Sequence, residues 1–291
     1  MILCPNCGAK SIYVKSGCPQ CGFVPARVDG FLAWAPKLAK HNDGFPEESF
    51  DGLARVEAGN FWFRARNAIV LWALRKYFPS FQSLLEVGCG TGFVLSGIAK
   101  AFPNARIAGS EIYTAGLAIA ALRLPSIELL QMDARELPYE AEFDLVVAFD
   151  VIEHIKEDEL VLQNFHRAIK PGGGCLITVP QHQWLYSPVD EAACHQRRYG
   201  ARDLHKKVEA AGFRIIRSTS FVTLLLPLML ASRLAARRSG QAGGSKALVF
   251  NPVLDRVLEG AMQVEHFLIR CGVSLPIGGS RLVVLQRKES V

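Results

Sequence analysis

No stretch of this chain is apolar for long enough to cross a bilayer. The most hydrophobic segment, Phe221 to Ala231, is shorter than the roughly 18–20 residues a spanning helix needs, and Pro227 interrupts it. A secretory leader is also missing, because Met1-Ile2-Leu3 gives way at once to Cys4-Pro5 with neither a basic start nor an apolar core. A cytoplasmic location and reduced thiols are the expectation. Extremes of charge are absent too: a net charge of +6 over 291 residues is compatible with nucleic acid or an anionic membrane surface and argues for neither. Disorder is excluded, since half of the residues are hydrophobic, enough for one substantial α/β domain with a small appendage.

The eight cysteines divide unevenly. Cys89, Cys175, Cys194 and Cys271 are scattered, whereas Cys4-Pro5-Asn6-Cys7-Gly8 and Cys18-Pro19-Gln20-Cys21-Gly22 are two copies of one knuckle. Two facing knuckles supply four thiolates in the tetrahedron that Zn²⁺ accepts in closed structural sites. Disulfides are the alternative, which a reducing compartment disfavours. Such a unit, expected over residues 1–25, resembles rubredoxin-like zinc ribbons, whose metal is structural. Its role is docking, or folding of the N-terminus. From Val24 to Gly59 the pattern is broken by Pro25, Pro36, Pro46 and several glycines, and residues 26–59 read as a linker laid over a surface.

The chain is organised around Leu84 to Phe93. Leu84, Leu85 and Val87 form a short buried strand with Glu86 near its end; Gly88, Gly90 and Gly92 make a tight turn; Val94, Leu95, Ile98 and Ala99 follow with helical spacing. Alternate glycines let the backbone approach a ligand, and free amides at the next helix's start favour a carboxylate or phosphate. A nucleotide-like ligand is implied. The dinucleotide fingerprint wants its third glycine at position 93, where this chain has Phe93, so the spacing leans away from NAD. A second strand, Ala105 to Ser110, ends at Glu111, placed to accept ribose hydroxyls, as a dehydrogenase acid also would. Upstream, Phe61-Trp62-Phe63 leads into Arg64, Arg66 and a helix carrying Ile69, Val70, Ala73, Leu74 and Tyr77 on one face. This is core packing with solvated charges, or a lid.

With Glu86 at its tip, the glycine segment resembles the first motif of class I S-adenosylmethionine-dependent methyltransferases. Three further segments resemble that family in the right order: Ile127 to Met132 with Asp133-Ala134 at its tip; Phe143 to Phe149 followed by Asp150-Val151-Ile152-Glu153-His154; and Ile169-Lys170-Pro171-Gly172-Gly173-Gly174 before a strand at Cys175 to Val179. The likeness covers about Phe61 to Phe213. It implies an α/β fold with a Rossmann-like seven-stranded sheet, order 3-2-1-4-5-7-6, over residues 60–291. It implies S-adenosylmethionine held by Glu86, Gly88, Cys89, Gly90, Gly92, Glu111, Ile112, Asp133, Ala134 and Asp150, with Arg64 or Arg66 near the methionine carboxylate. Asp133 would read the adenine amino group; capping is its alternative role.

Methyl transfer is an in-line displacement, so the protein's task is to align the acceptor and remove its proton. His154 is the first choice as general base, its ordinary pKa lying near 6.5, with His182 and His195 as competitors. A Glu-His pair at this place is widespread in the family, so His154 could instead only shape the pocket. Asp150, Glu153 and His154 also resemble the trio that holds a divalent cation in O-methyltransferases of ubiquinone biosynthesis. After the fifth strand come Asp190 and the run His195-Gln196-Arg197-Arg198-Tyr199, similar to a large bacterial group with a His-x-Arg-Arg-Tyr run. Arg197, Arg198 and Tyr199 are candidates for an anionic substrate, or a solvated helix entry.

The last two strands, Phe213 to Ser218 and Arg281 to Arg287, are separated by about sixty residues where the family has a short connection. A helical insertion is expected at about 221–275. It is either a cap over the sheet or a second subunit, or an interfacial element at 221–238 with arginines on lipid headgroups, peripheral at the inner membrane face. The expected activity is O-methylation of a small-molecule, glycan or lipid-linked acceptor. The rivals are a ribosomal RNA base methyltransferase with a zinc ribbon, disfavoured by the lack of an Asn-Pro-Pro-Tyr-like motif, and a non-catalytic cofactor-binding interaction module.

Overall fold

The computed structural model describes residues 1–12, 15–40, 49–240 and 250–288. Residues 41–48 of the expected linker and 241–249 of the expected insertion lie outside the described residues. In chain order the elements are β1 (Ile2–Leu3), β2 (Lys10–Ser11), β3 (Ala26–Val28), β4 (Phe31–Ala33), α1 (Ser49–Val56), α2 (Phe61–Tyr77), β5 (Ser83–Val87), α3 (Phe93–Ala101), β6 (Arg106–Glu111) and α4 (Thr114–Arg123). They continue with β7 (Glu128–Gln131), β8 (Phe143–Phe149), α5 (Asp158–Ala168), β9 (Ile169–Pro180), α6 (Pro188–Ala192), α7 (Ala201–Ala210), β10 (Phe213–Phe221), α8 (Leu226–Ser239), α9 (Pro252–Arg270) and β11 (Ser280–Arg287).

Nine strands form one sheet in the order β10-β11-β9-β8-β5-β6-β7-β4-β3. Strands β9, β8, β5, β6 and β7 run parallel, and β11 pairs antiparallel with both β9 and β10. This is the expected seven-stranded order with two strands added at one edge. The central strands β5 and β8 are buried along nearly their whole length because both faces are covered. Alternate residues go to opposite sides: Leu85, Val146, Ile177 and Val283 pack with α5 and α7, whereas Leu84, Leu145, Val147 and Val284 pack with α2, α3 and α9.

The linker reading of residues 26–59 is corrected. Β4 pairs parallel with β7, Leu32 opposite Leu130, and β3 folds back on it through Asp29-Gly30, both in the left-handed region. Gln131, fully buried, fastens this addition: its Oε1 accepts from Ala35 N–H and its Nε2 donates to Ile112 O. The N-terminal ribbon is likewise packed onto the body, with Leu3 N–H donating to Pro138 O and Ile2, Cys4 and Cys18 in one core cluster with Tyr139. No helix among the described residues is long and apolar enough to cross a membrane.

Candidate functional site

The strand order reverses between β5 and β8, and the crevice at the carboxyl ends of β5 to β8 is where an open parallel sheet receives ligands. A cavity of about 620 Å³ lies there, lined by the glycine turn, Glu111, Asp133, Asp150 and His154. Gly88 is left-handed at φ 70°, and a Cβ on it would come within 2.5 Å of a Val151 methyl. Only glycine lets β5 turn this close to the β8 tip. Cys89, Gly90 and Gly92 do not offer their amides freely: they donate to Ser110 O, Glu111 Oε2 and Cys89 O respectively. The expected anion cradle is therefore not made by these three groups.

The cavity's chemistry comes from carboxyls. Glu86 is buried, one of its oxygens has no hydrogen-bond partner, and burial, opposed by Arg66 and reinforced by Glu111, lifts its pKa to about 8. Such a group waits for a cationic donor, which would draw it back to the charged form. Glu111 accepts from the amides of Gly90, Ile112 and Tyr113, which fix its orientation at the β6 tip and leave lone pairs on the cavity side of an acceptor-only group. Asp133 lines the cavity beside Ala134, but Arg135 donates to both of its oxygens, at 3.0 and 2.7 Å from Oδ2, and it also caps the turn over residues 134–136. Much of its acceptor capacity is spent. Arg66 reaches Asp150 at 2.6 Å and lies over the Trp62 ring, so the aromatic cluster does enter the site; Arg64 instead points away, to Asp255 and Glu259 of α9. Asp150 itself is held at φ 58°, a strained backbone of the kind that clusters at functional sites.

The three histidines part company. His154 lines the cavity, but burial and the neighbouring His195 push its pKa down to about 3, so it is a poor base near neutrality. His182 is not among the lining residues; it stacks on Trp184, with a backbone φ of 66°. His195 lines the cavity, and its Nδ1 is 2.9 Å from Asp190 Oδ1. Burial opposes the charge on Asp190, but His195, Arg198 and Arg233 overcome it and hold the carboxyl at about 2. A carboxylate facing Nδ1 fixes the proton there and leaves Nε2 as the basic nitrogen.

Arg197, Arg198 and Tyr199 are not among the residues lining this cavity. Arg198 is buried, donating to Asp190 and to the carbonyls of Gln181 and Gly279. Tyr199 is fully buried and donates to Asp158 at 2.7 Å, and Arg197 pairs with the same carboxylate. They clasp the segment after β9 to the turn at residues 152–154, where Gln196 N–H also donates to Glu153 O. That clasp is what carries His195 to the cavity. The expected cation trio is rearranged as well, because Asp150 is taken by Arg66 while one ligand atom each of Glu153, His154 and His195 lie within 4.8 Å of one another.

Several lining residues carried no recognised sequence signal. Phe50, Leu53 and Glu57 come from α1 and its end, inside the presumed linker, although Phe50, Leu53 and Val56 have helical spacing that could have revealed it. Glu57 accepts from Thr91 Oγ1 and pairs with Arg123, closing this helix onto the glycine turn.

At the N-terminus Sγ of Cys4 and Cys21 are 3.6 Å apart and Sγ of Cys7 and Cys18 are 3.7 Å apart, all four within 4.8 Å. A tetrahedron with bonds of about 2.3 Å has edges of about 3.8 Å.

Over residues 59–218 the sequence matches the family described as a methyltransferase domain. This chain belongs to that methyltransferase family. A probable S-adenosylmethionine-dependent methyltransferase of Mycolicibacterium smegmatis is 31% identical over 176 residues, 58% of this chain and 64% of that protein. A ubiquinone biosynthesis O-methyltransferase of Pseudomonas syringae is 34% identical over 98 residues, 32% of this chain and 41% of its own. The chain thus spans less than two thirds of the length of these curated relatives. Among solved structures, phosphoethanolamine N-methyltransferase 2 of Haemonchus contortus superposes with a TM-score of 0.56 at 19% identity, covering 84% of this chain and 58% of that one. The cyclase SpnF superposes with a TM-score of 0.53 at 23% identity, covering 79% and 84%. Likeness at that level is likeness of fold. The family is that of the methyltransferase domain, and the fold is shared with solved methyltransferases.

Proposed function

We propose that this chain is an S-adenosylmethionine-dependent methyltransferase that methylates a hydroxyl oxygen of a small, glycan or lipid-linked acceptor, with His195 as the general base. The observation that carries this reading is the Asp190–His195 pair at the cavity, Nδ1 to Oδ1 2.9 Å, with Asp190 kept charged. The residues fit the cofactor: Glu86 keeps an unpartnered carboxyl oxygen for its amino group, Glu111 faces the ribose position, and Arg66 can exchange Asp150 for the methionine carboxylate. When bound, S-adenosylmethionine supplies an electrophilic methyl group on a sulfonium. Glu86 and Glu111 are the lining carboxyls without an arginine partner; burial raises the pKa of both, and a bound cation would draw them back to the charged form.

His195 Nε2 takes the acceptor's hydroxyl proton, and Asp190 stabilises the imidazolium that results. Trp62, Phe63 and Phe50 line the same cavity and exclude water from it. Relatives named as ubiquinone biosynthesis O-methyltransferases support oxygen as the acceptor atom. Four cysteine sulfurs at tetrahedral-edge spacing support a structural Zn²⁺ on Cys4, Cys7, Cys18 and Cys21.

Methyl-labelled cofactor, incubated with the purified protein and a cell extract split into lipid, glycan, RNA, protein and small-molecule fractions, tests the acceptor. Label in a lipid, glycan or small-molecule hydroxyl is expected, and label confined to RNA would replace this reading with base methylation. With the labelled fraction as substrate, His195→Ala should lower kcat by roughly 10²–10⁴-fold, and His154→Ala far less. The reverse ranking would return the base to His154.

A further inference from the structure

We propose that the outer face of α9 is a docking surface for an anionic lipid bilayer. A helix on the surface of a protein normally turns a polar face to water. Helix α9 is apolar on both sides. Leu258, Met262 and Ile269 point inward, onto the core that includes Phe61, Ala65 and Ile69 of α2. Val253, Val257, Val264 and Phe267 point outward and are 70, 63, 56 and 64% exposed. Leu254 and Leu268 widen this stripe on one side, and the exposed Arg256 and Arg270 border it on the other.

Charge decides the occupant. Between Phe221 and Lys288 the sequence holds three carboxylates, Asp255, Glu259 and Glu265. All three are turned inward and used. Asp255 accepts from Phe61 N–H at 2.7 Å and pairs with Arg64, which also takes Glu259. Glu265 accepts from the amides of Val222, Thr223 and Leu224 at 2.6, 2.6 and 2.9 Å. The outer stripe is therefore bordered by cations with no anion on it. An apolar strip rimmed by arginines matches lipid chains beneath anionic headgroups. Helix α8 continues the pattern, with no buried residue, Leu228 and Leu234 55 and 42% exposed, and the exposed Arg238 at its end.

The location has a consequence for the cavity. Helix α9 is bolted to α2 through Arg64, and the first turns of α2 supply Trp62, Phe63 and Arg66 to the cavity lining. A docked α9 holds that lining next to the bilayer. Docking stands independently of the acceptor proposed above, because it needs neither methyl transfer nor His195.

The test is flotation of the full chain with vesicles of phosphatidylglycerol and phosphatidylcholine, against vesicles of phosphatidylcholine alone. Binding at least about tenfold stronger to the anionic vesicles is expected, falling as salt is raised. Val264→Glu with Phe267→Glu should abolish it while cofactor binding is kept, and Arg256→Gln with Arg270→Gln should weaken it several-fold and flatten the salt dependence. Absence of binding, equal binding to both vesicle types, or equal binding by wild type and the Val264→Glu, Phe267→Glu variant would overturn the proposal. So would a dimer in sedimentation that those substitutions disperse in a protein that does not float, since the stripe's occupant would then be a second copy.

Discussion

Two neighbouring regions of the molecule treat their carboxyls in opposite ways. In the clasp between the segment after β9 and the start of α5, Asp190 and Asp158 are saturated: Asp190 by His195, Arg198 and the Ser187 amide, Asp158 by Tyr199, Arg197 and Lys207. In and behind the cavity, Glu86 has an oxygen without a partner and neither oxygen of Glu153 has one. Both regions look equally reactive as a list of residue types. A satisfied buried charge holds structure, and an unsatisfied one is stability given up for a ligand. Arg198 and Tyr199 are buried and paired, whereas Glu86 lines the cavity with an oxygen that has no partner.

Removing one partner from the saturated region should have the largest effect. Arg198→Met leaves Asp190 buried with its strongest cation gone and should destabilise by about 3–5 kcal/mol in urea denaturation. A loss below about 1 kcal/mol, with activity lost instead, would move Arg198 back to the substrate. Glu86→Gln should do the reverse. Its carboxyl has a raised folded pKa, so the unfolded chain binds fewer protons between about 4.5 and 8, and the native state loses stability as pH rises through that window. The amide escapes this, so at pH 8 the free protein should gain about 1–3 kcal/mol while cofactor affinity, read by calorimetry, drops about 10–100-fold. Unchanged affinity would take Glu86 out of the cofactor site.

Chelation probes the comparison at longer range. Gln131 joins the β3–β4 addition to Ile112 at the cavity, and the ribbon packs behind it, so metal removal should weaken cofactor binding about two- to tenfold with the sheet's circular dichroism preserved. The smallest effect is acid sensitivity. Burial lowers the pKa of His154 to about 3 and that of His266 to about 4. The unfolded chain then binds more protons between those values and about 6.5, so stability is full above 6.5 and falls as pH drops below it. His266→Asn should flatten that fall by about 1 kcal/mol between pH 7 and 5, measured from urea midpoints.

Much of the fold was legible because its signals are local. The apolar runs of β5, β8 and β9, the glycine turn and each Cys-x-x-Cys knuckle fit within a dozen residues, and the order of the seven core strands is what the resemblance carried by those motifs implies. The β3–β4 hairpin was not legible, since its strands of three residues each gain stability only from the edge of β7.

By itself, then, the sequence determined the central strands, the glycine approach to the ligand and the four-thiol cluster, all of which depend on spacing along the chain. Tertiary structure alone decided which cavity histidine has a carboxylate partner, which arginines are spent on buried carboxylates and which face of α9 is left to solvent. Those outcomes turn on burial and on partners far apart in the chain, such as Arg66 with Asp150 and Arg64 with Glu259. A residue's type states what it can do, and only its surroundings fix whether that capacity has already been used.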